Sequence, residues 1–133
     1  MLVRDVMNPG FDPVDVRDSL RDAARKMKEL ETGLLPVTAE KGIIGMLSDR
    51  DLALRALAEE PAEELANAKV KDVMSVGVLA CFEQQPAAEA LDMMLSKRVS
   101  GIVVLDPRRQ PVGTLSLYDL IEKITPDKQE NTD

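Results

Sequence analysis

The chain contains an internal duplication, which constrains its fold more than any other feature of the sequence. The string Val3-Arg4-Asp5-Val6-Met7 returns 67 residues later as Val70-Lys71-Asp72-Val73-Met74. The string Gly45-Met46-Leu47-Ser48-Asp49-Arg50-Asp51 returns 68 residues later as Gly113-Thr114-Leu115-Ser116-Leu117-Tyr118-Asp119. The two copies therefore stay in register. Two copies of one supersecondary unit predict a module with pseudo-two-fold symmetry.

The length of the chain bounds how the two copies can fold. Each copy has about 60 residues, a size that buries only a marginal core on its own. The 133 residues are therefore expected to form one module in which the copies pack against each other. We assign residues 1–58 to the first repeat, 59–69 to an acidic connector, 70–125 to the second repeat and 126–133 to a disordered tail.

Each copy has the same predicted order of elements, namely strand, helix, strand, strand, helix. The first helix begins near Ser19 in one copy and near Pro86 in the other. Two apolar strands joined by a short turn follow it, which is a hairpin pattern. The predicted strands are 13–16, 33–37 and 43–47 in the first copy and 79–82, 101–105 and 112–115 in the second, with turns at 8–10 and 75–77. This order predicts an α/β fold of the α+β type, with a small sheet and two helices per repeat.

The charge and aromatic content argue against nucleic-acid binding. The chain has 17 basic and 24 acidic residues, a net charge of −7, whereas affinity for a phosphate backbone requires clustered Lys and Arg. Only Phe11, Phe82 and Tyr118 are aromatic, too few for a base-stacking platform. A phosphorylated small molecule can still bind, provided that a few basic side chains supply local positive potential.

The absence of histidine argues against catalysis and against metal sites. Without His there is no Ser-His or Cys-His nucleophile and no usual zinc or copper site. The one cysteine, Cys81, lies in an apolar stretch and is expected to be a buried hydrophobe. We therefore predict no catalytic residue and no metal ligand. With no apolar run of about 18 residues and no secretion signal, we expect a cytoplasmic protein that does not contact membranes.

The repeated Ser-x-x-Asp at the start of the second helix of each copy has two interpretations. In the first, Ser48 or Ser116 caps the helix and Asp51 or Asp119 completes a capping box. In the second, the hydroxyl and the free amides of the helix start bind a phosphate, while the carboxylate one turn later accepts both hydroxyls of a ribose diol. The second interpretation matches the dimensions of a nucleoside phosphate.

The two copies together resemble a tandem pair of CBS domains, the repeats named after cystathionine β-synthase. The resemblance covers about Val3 to Ile124 and rests on the opening Val-x-Asp-Val-Met, the strand Gly-Leu-Leu-Pro-Val and the Ser-Asp-Arg-Asp that follows Gly45-Met46-Leu47. It implies two small sheets packed about a pseudo-two-fold axis. It also implies a regulatory sensor that commonly dimerises into a flat disc and binds AMP, ADP, ATP or S-adenosylmethionine in clefts between the repeats.

The resemblance also implies roles for individual residues. Asp51 and Asp119 would hold ribose, and Ser48 and Ser116 would approach phosphate. The backbone near two strand starts, Leu34-Leu35 and Ile102-Val103, would face adenine. The candidate cations for phosphate are Arg50, Lys97 and Arg98. Because two aspartates flank Arg50, a polyphosphate is expected to need Mg²⁺ or a partner subunit.

The second copy departs from the first at several positions of this pattern. It has Val104 in place of Pro36, and Leu117-Tyr118 in place of Asp49-Arg50. Both copies keep the Ser-x-x-Asp motif, so two candidate sites remain. We call Ser48 with Asp51 the first frame and Ser116 with Asp119 the second frame. The leading hypothesis is a stand-alone module that senses an adenosyl ligand, forms a homodimer and signals in trans to an unknown protein. The alternatives are a ligand-free structural dimerisation protein and a divalent-cation sensor that uses the acidic connector.

Overall fold

A computed structural model describes residues 1–59 and 61–124 in two compact units, and the predicted tail at 126–133 lies outside this range. The terminal unit combines Met1–Gly10 with the chain from Ala80 onward, and the central unit is Phe11–Leu79. Each unit therefore contains the opening segment of the opposite repeat. The compact units do not follow the boundaries of the sequence repeats.

The elements of each copy follow the predicted order and are preceded by an additional short helix and short strand. Up to the connector they are α1 (Val3–Val6), β1 (Asn8–Pro9), β2 (Val14–Asp15), α2 (Leu20–Leu30), β3 (Leu34–Ala39), β4 (Gly42–Ser48) and α3 (Asp49–Asp51), which continues as a π-helix (Leu52–Leu57). Beyond it they are α4 (Ala62–Leu65), α5 (Val70–Val73), β5 (Ser75–Val76), β6 (Ala80–Phe82), α6 (Ala87–Lys97), β7 (Gly101–Leu105), β8 (Pro111–Ser116) and α7 (Leu117–Ile124). The mixed α/β class is confirmed.

The central unit contains a four-stranded sheet in the order β2-β3-β4-β5. The hairpin of β3 and β4 is antiparallel, as predicted, and β2 lies parallel to β3. One core cluster forms around it because the apolar face of α2, including Ala23 and Met27, packs with Leu35, Val37 and Leu47. Val70 and Val73 of α5 belong to the same cluster, which ties the start of the second repeat to the first.

The terminal unit repeats this architecture with the sheet order β1-β8-β7-β6. The hairpin of β7 and β8 is antiparallel, and β6 is parallel to β7. The backbone of α1 enters this unit through hydrogen bonds from Val3 N to Gln85 O (2.8 Å) and from Arg4 N to Glu83 O (2.9 Å). Cys81 is buried in β6, which confirms the expectation of a buried hydrophobe.

The segments predicted as turns at 8–10 and 75–77 begin as strands instead. Asn8 and Pro9 pair with Thr114 and Gly113 of β8. Ser75 and Val76 pair in the same register with Met46 and Gly45 of β4. Turn-forming composition does not reveal this pairing because the partner strand lies far away in sequence. Strand β1 positions Asn8 against the second Ser-x-x-Asp frame.

The acidic connector contains one helical turn, α4. Among residues 1–59 and 61–124, no helix combines the length and the apolar character needed to cross a bilayer.

Candidate functional site

The first Ser-x-x-Asp frame forms a reciprocal capping box at the start of α3. The backbone N–H of Asp51 donates to Ser48 Oγ (3.0 Å), and the backbone N–H of Ser48 donates to Asp51 Oδ2 (3.0 Å). Ser48 has extended backbone angles, as expected of a residue that ends a strand and starts a helix. The capping interpretation therefore describes the geometry of this frame.

The second frame has the same geometry at the start of α7. The backbone N–H of Asp119 donates to Ser116 Oγ (3.0 Å), and the backbone N–H of Ser116 donates to Asp119 Oδ2 (2.9 Å). Each serine hydroxyl still carries a proton that it can donate, and each carboxylate has about four lone-pair positions. The capping bonds therefore leave part of the hydrogen-bonding capacity of both frames available to a ligand.

A basic side chain lies beside the first frame. Arg55 Nε is 3.9 Å from Asp51 Oδ1, and the Asp51 side chain is 13% exposed. The guanidinium of Arg55 also donates to the carbonyl oxygens of Met74 (3.0 Å) and Val73 (3.4 Å), at the end of α5. Arg55 thus joins the second turn of the helix to α5 and places a positive charge next to Asp51.

A neutral side chain lies beside the second frame. Asn8 Nδ2 donates to both oxygens of Asp119, at 3.3 Å to Oδ1 and 3.1 Å to Oδ2. Asp119 is a buried acidic residue, with 8% of its surface exposed. The two frames therefore share their capping boxes and differ in the residue that faces the carboxylate.

The predicted phosphate-binding cations are all exposed. Arg50 lies in α3, immediately before Asp51, whereas Lys97 and Arg98 lie at the end of α6. None of the three forms a salt bridge with the described residues. The loop after Arg98 reaches the second frame, since Leu117 N at the start of α7 donates to Ser100 O (3.0 Å).

The side chains of the predicted adenine-facing residues are buried in the core. Leu34, Leu35, Ile102 and Val103 are at most 7% exposed. Only the backbone of these strands could face a ligand. Among the described residues, β2 pairs with Val37 and Thr38 alone, so the amino half of β3 has no neighbour on that edge. On β7 the pairing with β6 starts earlier, at Val103, which leaves a shorter edge.

Pro36 fits this difference between the two edges. Proline has no backbone N–H to donate to a ladder and is tolerated where a strand is an edge. The second copy has Val104 at this position, and Val104 pairs with Cys81 of β6. The first frame thus lies beside a longer unpaired stretch of strand than the second.

A groove of about 450 Å³ lies elsewhere on the central unit, between α2 and the helix that follows β4. It is lined by Met27, Lys28, Glu31, Asp49 and Leu57, among others. Neither Ser48 nor Asp51 lines it. The groove therefore does not coincide with the predicted site. Separately, no cluster of metal-ligating side chains occurs in 1–59 and 61–124.

Two residues that face the frames, Asn8 and Arg55, are not among the site residues predicted from the sequence. Arg55 could have been found, because it follows Asp51 by four residues, the spacing of a helical ion pair. No sequence signal marks Asn8, which is 111 residues from Asp119.

The model of the CBS domain matches residues 3–57 and 70–126 of this chain. A relative from Mycobacterium tuberculosis, hypoxic response protein 1, is 39% identical over 121 residues, which are 88% of this chain and 80% of the relative. An uncharacterised protein from Bacillus subtilis is 31% identical over 121 residues, covering 89% of this chain and 78% of that protein.

Solved structures of CBS domain pairs share the fold. The pair of protein MJ0100, in complex with 5′-methylthioadenosine and S-adenosylmethionine, has a TM-score of 0.71 at 24% identity and covers 93% of this chain and 95% of that one. CBSX2 in complex with AMP has a TM-score of 0.67 at 22% identity, with coverages of 92% and 95%. The CBS domain of a bacterial CNNM/CorC family Mg²⁺ transporter in complex with ATP has a TM-score of 0.74 at 23% identity and covers 96% of this chain and 89% of that one.

Proposed function

The chain belongs to the CBS domain family, and on this basis we propose that it is a regulatory module that binds an adenosyl ligand and transmits the bound state to a partner protein. The observation that carries the proposal is the repeated frame, in which Ser48 with Asp51 and Ser116 with Asp119 adopt one geometry. The adenosyl ligands in the complexes of MJ0100, CBSX2 and the transporter domain support the ligand class.

Each part of the frame has a role in the proposed complex. The carboxylate of Asp51 or Asp119 accepts the two ribose hydroxyls, and the hydroxyl of Ser48 or Ser116 donates to a phosphate. The adenine lies against the unpaired backbone at the start of β3 or β7, where amide and carbonyl groups provide donors and acceptors. This arrangement requires no catalytic residue, and we propose a module without enzymatic activity.

Positive charge near the frames offsets the net charge of −7. Arg55 is fixed beside Asp51, and Arg50 is exposed in the same helical segment. Lys97 and Arg98 serve the second frame. A nucleotide with several phosphates brings more negative charge than these side chains neutralise, so we propose that ATP binds together with Mg²⁺.

Exposed apolar side chains on the second helices support a homodimer. Tyr118 and Ile121 of α7 are 71% and 64% exposed, and Leu57 is 71% exposed. Burying such residues against a second copy would be favourable by about 25 cal/mol per Å² of apolar surface. This same observation favours a second candidate function, in which the protein is a dimerisation module without a ligand and the frames are helix caps alone.

Thermal unfolding with AMP, ADP, ATP and S-adenosylmethionine, each with and without Mg²⁺, separates the two functions. A ligand at about 100 times its Kd stabilises the folded state by about 2.7 kcal/mol, or several degrees in Tm. We expect Asp51→Ala and Asp119→Ala to reduce the shift and the double variant to abolish it. The matched control is Asp49→Ala, which removes a carboxylate two residues from Asp51 but outside the capping box.

The ligand-induced shift in Tm of each variant is compared with that of the wild type. Baseline Tm values are not compared, because loss of a cap lowers stability by itself. If none of the ligands shifts the wild-type Tm, the adenosyl proposal is wrong and the dimerisation module remains. If the double variant keeps the full shift, the ligand binds elsewhere.

The proposed dimer is tested by gel filtration with light scattering. We expect a mass of two chains for the wild type and a lower mass for Ile121→Glu, which places a charge on the exposed face of α7. A strictly monomeric wild type would contradict the dimer.

A further inference from the structure

We propose that Asn8 occupies the ligand-binding side of Asp119, so that the first frame binds an adenosyl ligand more tightly than the second. This inference rests on the proposed function. It concerns a residue that neither repeated motif contains, and it assigns to that residue the difference in affinity between two otherwise matching sites.

The carboxylate of Asp119 has little unused capacity. Oδ2 accepts from Ser116 N (2.9 Å) and from Asn8 Nδ2 (3.1 Å), and Oδ1 accepts from Asn8 Nδ2 (3.3 Å). These contacts use three of about four lone-pair positions. A ribose diol needs two of them, one for each hydroxyl. A ligand that binds both hydroxyls to Asp119 must therefore displace the amide of Asn8.

The carboxylate of Asp51 is more available. Its Oδ2 accepts from Ser48 N, as in the second frame, but its Oδ1 accepts no hydrogen bond from the described residues. The nearest cation, Arg55 Nε, lies 3.9 Å from that oxygen. A diol can therefore bind at Asp51 without breaking a protein contact, and Arg55 adds positive charge for the phosphate.

The residue equivalent to Asn8 in the central unit is Ser75. Asn8 pairs with Thr114 of β8, and Ser75 pairs with Met46 of β4 at the corresponding register position. Ser75 is exposed, and its side chain has two fewer heavy atoms than that of asparagine. Because the backbone positions correspond, exchanging the two side chains should exchange the behaviour of the two frames.

Hydrogen bonds to an ionised carboxylate are stronger than bonds between neutral groups. Displacement of the Asn8 amide therefore opposes binding at the second frame, whereas no such contact opposes binding at the first. An effect of about ten-fold in Kd corresponds to about 1.4 kcal/mol, close to the lower end of the range for a hydrogen bond to a charged group.

Isothermal titration with AMP tests the proposal on variants that isolate each frame. Asp51→Ala leaves the second frame and Asp119→Ala leaves the first. Adding Asn8→Ser to Asp51→Ala should tighten AMP binding about ten-fold, and adding Ser75→Asn to Asp119→Ala should weaken it about ten-fold. Loss of AMP binding in Asp51→Ala that Asn8→Ser restores would also support the proposal.

The substitutions Asn8→Ser and Ser75→Asn test the role of Asn8 separately from the proposed function. If AMP binds the single-frame variants but both added substitutions leave Kd within two-fold, the role of Asn8 is wrong and the adenosyl function stands. If AMP and the other three adenosyl ligands fail to bind the wild type, both are wrong. Circular dichroism of each variant checks that the fold is retained.

Discussion

A Cβ atom on Gly45 would clash with the carbonyl oxygen of Ser75. Strand β5 pairs with β4 at this point and brings its backbone directly over the glycine. Gly113 has the same relation to Asn8, whose carbonyl oxygen would lie 2.5 Å from an added Cβ. The glycine that opens the repeated motif is therefore required for close approach of an edge strand.

This contact predicts that Gly45→Ala destabilises the protein, because the backbone of β5 must move away from β4. The expected loss in the free energy of unfolding is about 1–3 kcal/mol, as for other overpacked sites, measured by urea unfolding. The matched control is Gly33→Ala, where the obstacle is the Asp49 side chain, with Oδ2 at 2.5 Å. A side chain can rotate away, so the control should cost less. Equal losses in the two variants would contradict the prediction.

The residues that end α2 and α6 have left-handed backbone angles, which predicts a stabilising substitution. Glu31 and Arg98 end α2 and α6 with φ values of 54° and 56°, a region that favours glycine. Glu31→Gly should raise the free energy of unfolding by about 0.5–1 kcal/mol, the relief of strain exceeding the entropy that glycine adds to the unfolded chain. Glu31→Ala is the control, because it removes the charge but keeps the Cβ. A gain in the alanine variant as large as that in the glycine variant would assign the effect to charge.

The capping boxes predict a loss of stability that does not depend on ligand. Ser48→Ala and Ser116→Ala each remove the oxygen that accepts the backbone N–H of the aspartate, at a cost of about 1 kcal/mol in the free energy of unfolding. Ser48→Thr and Ser116→Thr keep a hydroxyl and should retain most of the stability. Chemical unfolding in the absence of nucleotide measures both pairs. Threonine variants as unstable as the alanine variants would indicate that packing, and not the cap, is lost.

Burial of Cys81 predicts a decrease of stability at high pH. Burial raises the pKa of its thiol from 9.0 to about 11. The folded state therefore favours the protonated thiol, and this contribution to stability is complete below about pH 9 and is lost as pH rises through 11. Urea unfolding from pH 8 to 11 should show a smaller decrease for Cys81→Ala than for the wild type. Parallel curves would contradict the prediction.

The duplication and the local patterns predicted much of the fold. Hairpins at 33–47 and 101–115, helices after Ser19 and Pro86, and the capping boxes at Ser48 and Ser116 depend on residues close together in sequence. Their hydrogen bonds are local, so the pattern of apolar and capping residues is sufficient to indicate them.

The edge strands and the contact of Asn8 with Asp119 could not be predicted in this way. Strand β1 pairs with β8 and brings Asn8 to Asp119 across 111 residues of sequence. In the same manner β5 pairs with β4, and Arg55 reaches the carbonyl oxygen of Met74. No local composition encodes these contacts, because they form only when each opening segment packs into the unit of the other repeat.

The sequence by itself determined that two copies of one unit exist, and that each starts its second helix with a serine and an aspartate. The tertiary structure decided which side chains surround the aspartate of each copy. It placed the neutral amide of Asn8 on Asp119, because the opening segments are exchanged between the compact units. It also anchored Arg55, four residues after Asp51, on the carbonyl oxygens of Val73 and Met74. The repeated sequence accounts for the hydrogen bonds within each frame, whereas the unused hydrogen-bonding capacity of the Asp119 carboxylate depends on a side chain from a distant segment.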